Sequence, residues 1–365
     1  MSQPSLSVPG SPQELAEVLA AANAAGQAVA PRGGGSKSDW GNPPIRTDLI
    51  LSTAQLNRVI EHAWADMTVT VEAGCTVASL QATLAEHGQR LAIDPLWPER
   101  ATIGGILAAN DSGALRLRYG ALRDLIIGIT VALPDGTIAL SGGKVVKNVA
   151  GYDLPKLMTG ALGTLGVITQ AVFRLHPLPR LSRTLSITPS NPEDAQRLIL
   201  AIQNSQLAHS ALQCRGNHAS VELDILLEGT EAGIDAQQAA IHSLAPVREN
   251  DPDVWSARQQ LWPVEEGEAI VKFSVLPSQI ADTVAQLKAS RCVVQATGIG
   301  HAKLKNDVAP LRQELESKGG SLVLLTPSKL DAWGSAGDSL PLLRAVKRQF
   351  DPNNILNPGR FVGGI

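Results

Sequence analysis

Aromatic side chains make up only 3% of this 365-residue chain and charged ones 18%, against 44% hydrophobic residues. The core must therefore be built from Ala, Leu, Ile and Val, and the length suits about two domains of roughly 150 residues each. Cys75, Cys214 and Cys292 are odd in number, far apart and without C-x-x-C spacing. That excludes a recognisable zinc site, iron–sulfur cluster or disulfide framework, and it points to a reducing compartment. A formal net charge of -3 leaves no broad electrostatic footprint for nucleic acid or anionic lipid. Long apolar runs are missing too: Leu125–Leu133 falls far short of the roughly 20 residues of a membrane span. The first twelve residues hold no Lys or Arg and no signal-peptide core, so the expectation is a cytoplasmic protein.

Two familiar phosphate motifs are also missing. No G-x-G-x-x-G follows a strand, and Gly142-Gly143-Lys144 lacks the preceding glycine and the following Ser or Thr of a P-loop. None of the seven histidines is paired at ligand spacing, so no metal site is expected.

What is present is a pair of glycine clusters, Pro31-Arg32-Gly33-Gly34-Gly35-Ser36 and Thr102-Ile103-Gly104-Gly105-Ile106-Leu107-Ala108-Ala109-Asn110. Each reads as a loop after a strand, offering bare backbone N–H groups to an anion with no lysine taking part. Two such loops from distant parts of the chain suit a long ligand with a pyrophosphate at its centre. A third glycine-rich segment, Gly160–Thr169, leads into a strand over Val167–Leu175.

Around these clusters the pattern predicts a helix from Pro12, capped by Ser11 with Glu14 completing a capping box and Gly26 ending it. It predicts strands at Ala28–Ala30, Leu49–Ser52 and Val69–Ala73, a helix carrying Leu80 and Leu84, and a hairpin of Leu125–Leu133 with Ile138–Leu140. Prolines at 177 and 179 place a domain boundary near residue 178. Beyond it, helical periods at Pro192–Asn204, Ala232–Leu244 and Ser278–Ser290 alternate with strand candidates at Val221–Leu227, Ala269–Val275 and Leu322–Leu325, an α+β pattern. A helix over Leu340–Phe350 and a turn-rich peptide close the chain.

The order of Pro31–Ser36, Val71-Glu72-Ala73-Gly74, Ala101–Gly105 with Asn110, Tyr119-Gly120 and Gly163–Thr169 resembles the FAD-binding domain of the vanillyl-alcohol oxidase and p-cresol methylhydroxylase (PCMH) type. The closing Phe350–Arg360 is similar to the C-terminus of D-lactate and glycolate dehydrogenases. Lys147–Leu157 and the short C-terminal domain most resemble one family of that branch, the smaller FAD-binding subunits of bacterial glycolate oxidase (glycolate dehydrogenase).

The resemblance implies an α+β fold: a two-lobed PCMH-type FAD-binding domain over 1–178, a smaller α+β cap over 179–337, and a segment 338–365 that returns to the FAD domain. It implies that N–H groups of Gly33, Gly34, Gly35 and Ser36 hold the pyrophosphate beside Arg32, where a Cβ would push the phosphate away. Thr102, Gly104, Gly105 and Asn110 would support the opposite side and the ribityl chain, Gly166, Val167 and Ile168 the adenine, and Pro95 is a further cofactor-binding candidate. Relatives with a covalent flavin carry a His beside the first loop; Arg32–Lys37 has none, so the FAD is expected to be non-covalent. The implied substrate is a small 2-hydroxy acid. The implied partners are a homologous larger FAD subunit and an iron–sulfur subunit, through which any membrane association would arise. Catalytic candidates are few. Arg116 and Arg118 could hold a carboxylate or pair with Asp111 and Asp124, and His301, read as a lone loop histidine, could be structural or act on substrate.

Overall fold

A computed structural model describes residues 3–143, 151–217, 219–305 and 307–365. Lys144 and the Lys147–Ala150 part of the resemblance motif lie outside the described residues. Contacts divide the chain into two units: Met1–Ser112, Gly120–Leu178 and Ser335–Ile365 in the first, Gly113–Tyr119 and Pro179–Gly334 in the second.

The first unit opens with β1 (Ser5–Ser7), α1 (Pro12–Ala24), β2 (Val29–Arg32) and β3 (Leu49–Ser52), whose strands form a parallel sheet in the order β1-β3-β2. The Ser11 side chain accepts from the Glu14 N–H, as the sequence suggests, and Pro12 occupies the first turn. Glu14 itself reaches Gly10 N at 2.7 Å, one residue before the cap. Leu15, Ala16, Leu19 and Ala22 form the buried stripe of α1 and pack with Val29, Leu49 and Leu51 of the sheet.

The second lobe of this unit contains β4 (Val59–Ala63), β5 (Thr68–Glu72), α2 (Val77–Ala85), β6 (Gln89–Arg90) and α3 (Ile103–Ala109). After α4 (Arg116–Tyr119), which belongs to the second unit, it continues with α5 (Leu122–Leu125), β7 (Ile126–Ala132), β8 (Ile138–Gly142), α6 (Leu154–Met158), β9 (Val167–Arg174) and β10 (His176–Pro177). Five strands pair antiparallel in the order β4-β5-β9-β7-β8. β-Branched and aromatic residues such as Val69, Val71, Ile129, Val131 and Phe173 face a core shared with α2 and α3.

The second unit is built on an eight-stranded antiparallel sheet. In chain order its elements are β11 (Leu181–Ile187), α7 (Pro192–Gln203), β12 (Ala211–Gly216), β13 (Val221–Gly229), α8 (Glu231–His242), β14 (Arg248–Glu249) and β15 (Ala269–Ser274), then α9 (Ile280–Leu287), β16 (Arg291–Gln295), β17 (Ile299–Leu304), α10 (Val308–Ser317) and β18 (Ser321–Leu324). The strand order is β14-β11-β13-β12-β16-β17-β15-β18. Alternate residues such as Leu185, Leu212, Leu223, Ile225, Val271 and Phe273 join Leu198, Ile202 and Val284 of the helices in one core. Helix α9 is shorter than its sequence period because Lys288 turns left-handed at φ 47 and stops it.

Helix α11 (Leu340–Phe350) and the peptide after it return to the first unit. Leu356 bridges in parallel to Val29 of β2, the Val29 N–H donates to Ile355 O at 2.8 Å, and the Asn357 N–H returns to Val29 O at 2.9 Å.

Candidate functional site

β2 runs straight into the first glycine cluster. A Cβ on Gly34 would lie 1.8 Å from the Arg100 carbonyl oxygen, and one on Gly33 2.2 Å from Thr102 Oγ1. The missing side chains therefore let the loop lie against Arg100–Thr102. At these two positions a Cβ would therefore strike protein, whatever lies in front of the loop. The N–H groups of Gly33, Gly34, Gly35 and Ser36 make no hydrogen bond among the described residues, so this loop does present bare donors.

The second cluster is not a loop. Residues 103–109 form α3, with Thr102 as its N-cap, because Ile103, Ile106 and Leu107 fall on one buried face. Its first N–H groups are already taken: Ile103 N donates to Cys75 O (2.9 Å), Gly104 N to Ala73 O (2.7 Å) and Gly105 N to Thr102 Oγ1 (3.3 Å). A Cβ on Gly104 would lie 2.8 Å from the Ala73 Cβ, so that glycine seats the helix on the strand end. Gly105 differs, since a Cβ there would meet only Thr102 Oγ1, at 3.0 Å.

The two clusters and the third segment border one cleft with about 810 Å³ of empty space including its open mouth. Arg32, Gly33, Gly34, Gly35 and Ser36 line one side, Thr102, Gly104 and Gly105 another, and Gly166, Val167 and Ile168 a third. Pro95 is buried and Asn110 caps α3 in a left-handed turn at φ 48; neither is among the lining residues. The walls fit a dinucleotide: free N–H donors on one side, apolar Ala108, Ala109, Leu162 and Val167 on the others. Residues 33–36 would hold a pyrophosphate, and the apolar walls would hold ring systems.

Two residues the sequence reading passed over shape this cleft. Lys37, expected to play no part, is buried: its Nζ lies 3.1 Å from Asp111 Oδ2 and donates to Leu96 O at 3.2 Å. Asp111 Oδ2 also accepts the Leu96 N–H at 2.9 Å, so a buried ion pair joins the first loop to the segment before α3 and to the residue after its Asn110 cap. The ring of Trp97 lies 5.5 Å and that of Trp40 5.7 Å from the ammonium. The other is Arg360, which borders the cleft from the C-terminal peptide. Lys37 was legible as a neighbour of Ser36, whereas nothing local to residue 360 signals a cleft.

The catalytic candidates all belong to the second unit. Arg116 and Arg118 sit on α4 in the second unit, Arg118 exposed, and the Tyr119 hydroxyl beside them donates to Glu228 Oε2 at 2.9 Å. His301 is not in a loop. It is 1% exposed in the middle of β17, cross-strand from Lys272 and Val293, with Gln295 and Arg258 also buried in this unit. The glycines before it explain the strand: Gly298 makes the turn at φ +84, and Gly300 leaves room for the Phe273 ring, which a Cβ would approach to 2.2 Å. Among the described residues no group of three His, Cys, Asp or Glu is placed to hold a metal ion, and no helix is long and apolar enough to cross a membrane.

Residues 5–141 match the FAD binding domain family, and residues 335–361 the C-terminal domain of FAD linked oxidases. Over 97% of its length the chain is 25% identical to the glycolate oxidase subunit GlcD of Bacillus subtilis (87% of that protein) and 29% identical to a D-lactate dehydrogenase of Archaeoglobus fulgidus (90% of that protein). It is 28% identical to the glycolate oxidase subunit GlcE of Escherichia coli over 90% of this chain and 91% of that one. An alkyldihydroxyacetonephosphate synthase structure superposes with a TM-score of 0.70 at 17% identity, covering 98% of this chain and 77% of that one. Glycine cleft, domain match and fold agree: the protein is an FAD-dependent oxidoreductase with the two-lobed α+β fold of PCMH-type FAD-linked oxidases.

Proposed function

We propose that this chain is the smaller FAD-binding subunit, of the GlcE kind, of a complex that oxidises glycolate to glyoxylate. The observation that carries the reading is the cleft of unbonded N–H groups at Gly33–Ser36, set in a chain similar to a glycolate oxidase subunit along nearly its whole length. Bound there, FAD supplies a two-electron acceptor for an alcohol carbon. Residues 33–36 would hold its pyrophosphate, Thr102 and Gly105 its middle, and Val167 and Ile168 its adenine. The described residues lining the cleft include no His, Cys or Tyr, which supports a non-covalent flavin.

Onward electron transfer needs a partner on this reading. Cys75, Cys214 and Cys292 are each buried, and burial raises all three thiols, the Cys292 thiol to about 12. Such thiols are poor cluster ligands, so an iron–sulfur subunit would take the electrons, and a homologous larger FAD subunit would complete the complex in the cytoplasm. The D-lactate dehydrogenase likeness favours a second reading, a stand-alone dehydrogenase of a small 2-hydroxy acid. A largely architectural subunit is a third. Anaerobic mixing of the purified FAD-loaded chain with glycolate, then D-lactate, separates them. The first reading predicts dye reduction by glycolate only when the partner subunits are added. Turnover by the chain alone establishes the second, and a complex equally active with a flavin-free variant of this chain establishes the third.

A further inference from the structure

The carbonyl groups that follow the first glycine loop converge on a single guanidinium. Arg360 Nη2 donates to Ser38 O at 2.8 Å and to Lys37 O and Trp40 O at 3.2 Å, and its Nε reaches Trp40 O at 3.3 Å. Four contacts onto three carbonyls of one short stretch are more than an arginine needs to cover its own surface.

The chain goes to some length to deliver this residue. Lys347 and Asp351 form a buried pair at 2.6 Å, and the Asp351 carboxylate accepts the N–H groups of Ile355 (3.0 Å) and Leu356 (2.8 Å). Lys347 also donates to Thr164 O in the third glycine segment, at 2.8 Å. Asn357 then binds β2 through its backbone and Leu162 O through its side chain at 2.8 Å, and the Asn42 N–H donates to Arg360 O at 3.0 Å. The peptide is thus fastened to the strand that enters the first loop and to the segment on the cleft's far side.

The electrostatics favour this arginine over the loop's own lysine. The Lys37 charge is balanced by Asp111 at 3.1 Å, so the pair offers an anion little net charge. Carbonyl dipoles at 37, 38 and 40 would oppose an anion on the loop, and a guanidinium laid over them reverses that. Burial lowers the Arg360 pKa and the nearby Asp39 raises it, yet a guanidinium starts high enough to stay charged throughout the range in which proteins fold.

We propose that Arg360 is a positioning residue for the FAD pyrophosphate: it fixes the carbonyl side of residues 37–40, so that the N–H groups of 33–36 face the cleft beside a cation. This rests on FAD lying along that loop. The test is FAD affinity of the full-length apoprotein by flavin fluorescence, with ADP as a competitor that carries the pyrophosphate without the isoalloxazine. R360M is expected to bind both FAD and ADP at least tenfold more weakly, with a shallower dependence on salt. R360Q, which keeps amide donors for the carbonyls but no charge, should lose the salt dependence as well. R360K should restore it and recover part of the affinity. R360M within twofold of wild type for both ligands overturns the proposal while leaving the cofactor reading intact. A wild-type chain that takes up no FAD overturns both. If R360M does not fold, R360Q decides by the same criteria.

Discussion

Replacing Asp111 by Asn removes one charge from the buried Lys37–Asp111 pair and changes almost no volume. Both side chains are at most 5% exposed, and Leu96 O at 3.2 Å and Ser36 Oγ at 3.4 Å, both neutral, also lie within reach of the ammonium. Breaking a buried pair from one side costs about 3–5 kcal/mol. An independent bound agrees: an ordinary lysine, titrating near 10.4, gives up its proton at pH 7 at a cost of about 4.6 kcal/mol. For a unit of roughly 200 residues each kcal/mol shifts the melting temperature by about 2–4 °C, so D111N should melt roughly 6–20 °C lower. The assay is thermal unfolding followed by circular dichroism, with and without added FAD. Because the pair ties the first loop to the end of α3, FAD retention should fall as well. In the double variant K37M/D111L the loss should be much smaller than the sum of the single losses. A D111N melting temperature within 2 °C of wild type, or strictly additive losses in the cycle, would refute the reasoning.

Gly105→Leu should abolish flavin retention while the second unit stays folded, because Gly105 lines the cleft and a Cβ there already lies 3.0 Å from Thr102 Oγ1; full flavin content in that variant would show the contacts to be misplaced. His176 and His209 both titrate below the ordinary 6.5, burial being the main cause, with Arg174 and Arg90 adding to it at His176 and Arg118 at His209. Unfolded imidazoles take up protons as pH falls through 6.5 while the folded ones stay neutral, so stability present above that pH is lost on acidification toward the folded values. Melting temperatures between about pH 7.5 and 5.5 should fall, and less so in H176N/H209N; an unchanged slope in that variant counts against it. Ellman's reagent should find no reactive thiol in the native protein and all three after denaturation, since Cys75, Cys214 and Cys292 are at most 2% exposed.

Where a signal is local, the sequence was sufficient. Ser11-Pro12 starts α1, the alternation at Val69–Val71 gives β5, and Pro134-Asp135-Gly136 turns β7 into β8. What it could not show is which neighbour fills the space a glycine leaves. Gly34 yields to Arg100, Gly104 to Ala73 and Gly300 to Phe273, each a partner distant in sequence. For that reason the second cluster read as a loop although its apolar spacing was that of a helix, and His301 read as a loop residue although it lies inside a strand. Lys37 and Arg360 were missed on the same ground: their roles come from Asp111 and from the carbonyls of residues 37–40, contacts made only when the chain folds.

The central claim, that this cleft holds FAD without a covalent bond, is tested by the absorption spectrum of the purified chain before and after denaturation. A yellow protein is expected, whose denatured, filtered supernatant contains FAD and whose precipitate is colourless. A colourless chain that cannot be reconstituted with FAD, or flavin that remains attached to the unfolded polypeptide, would contradict it.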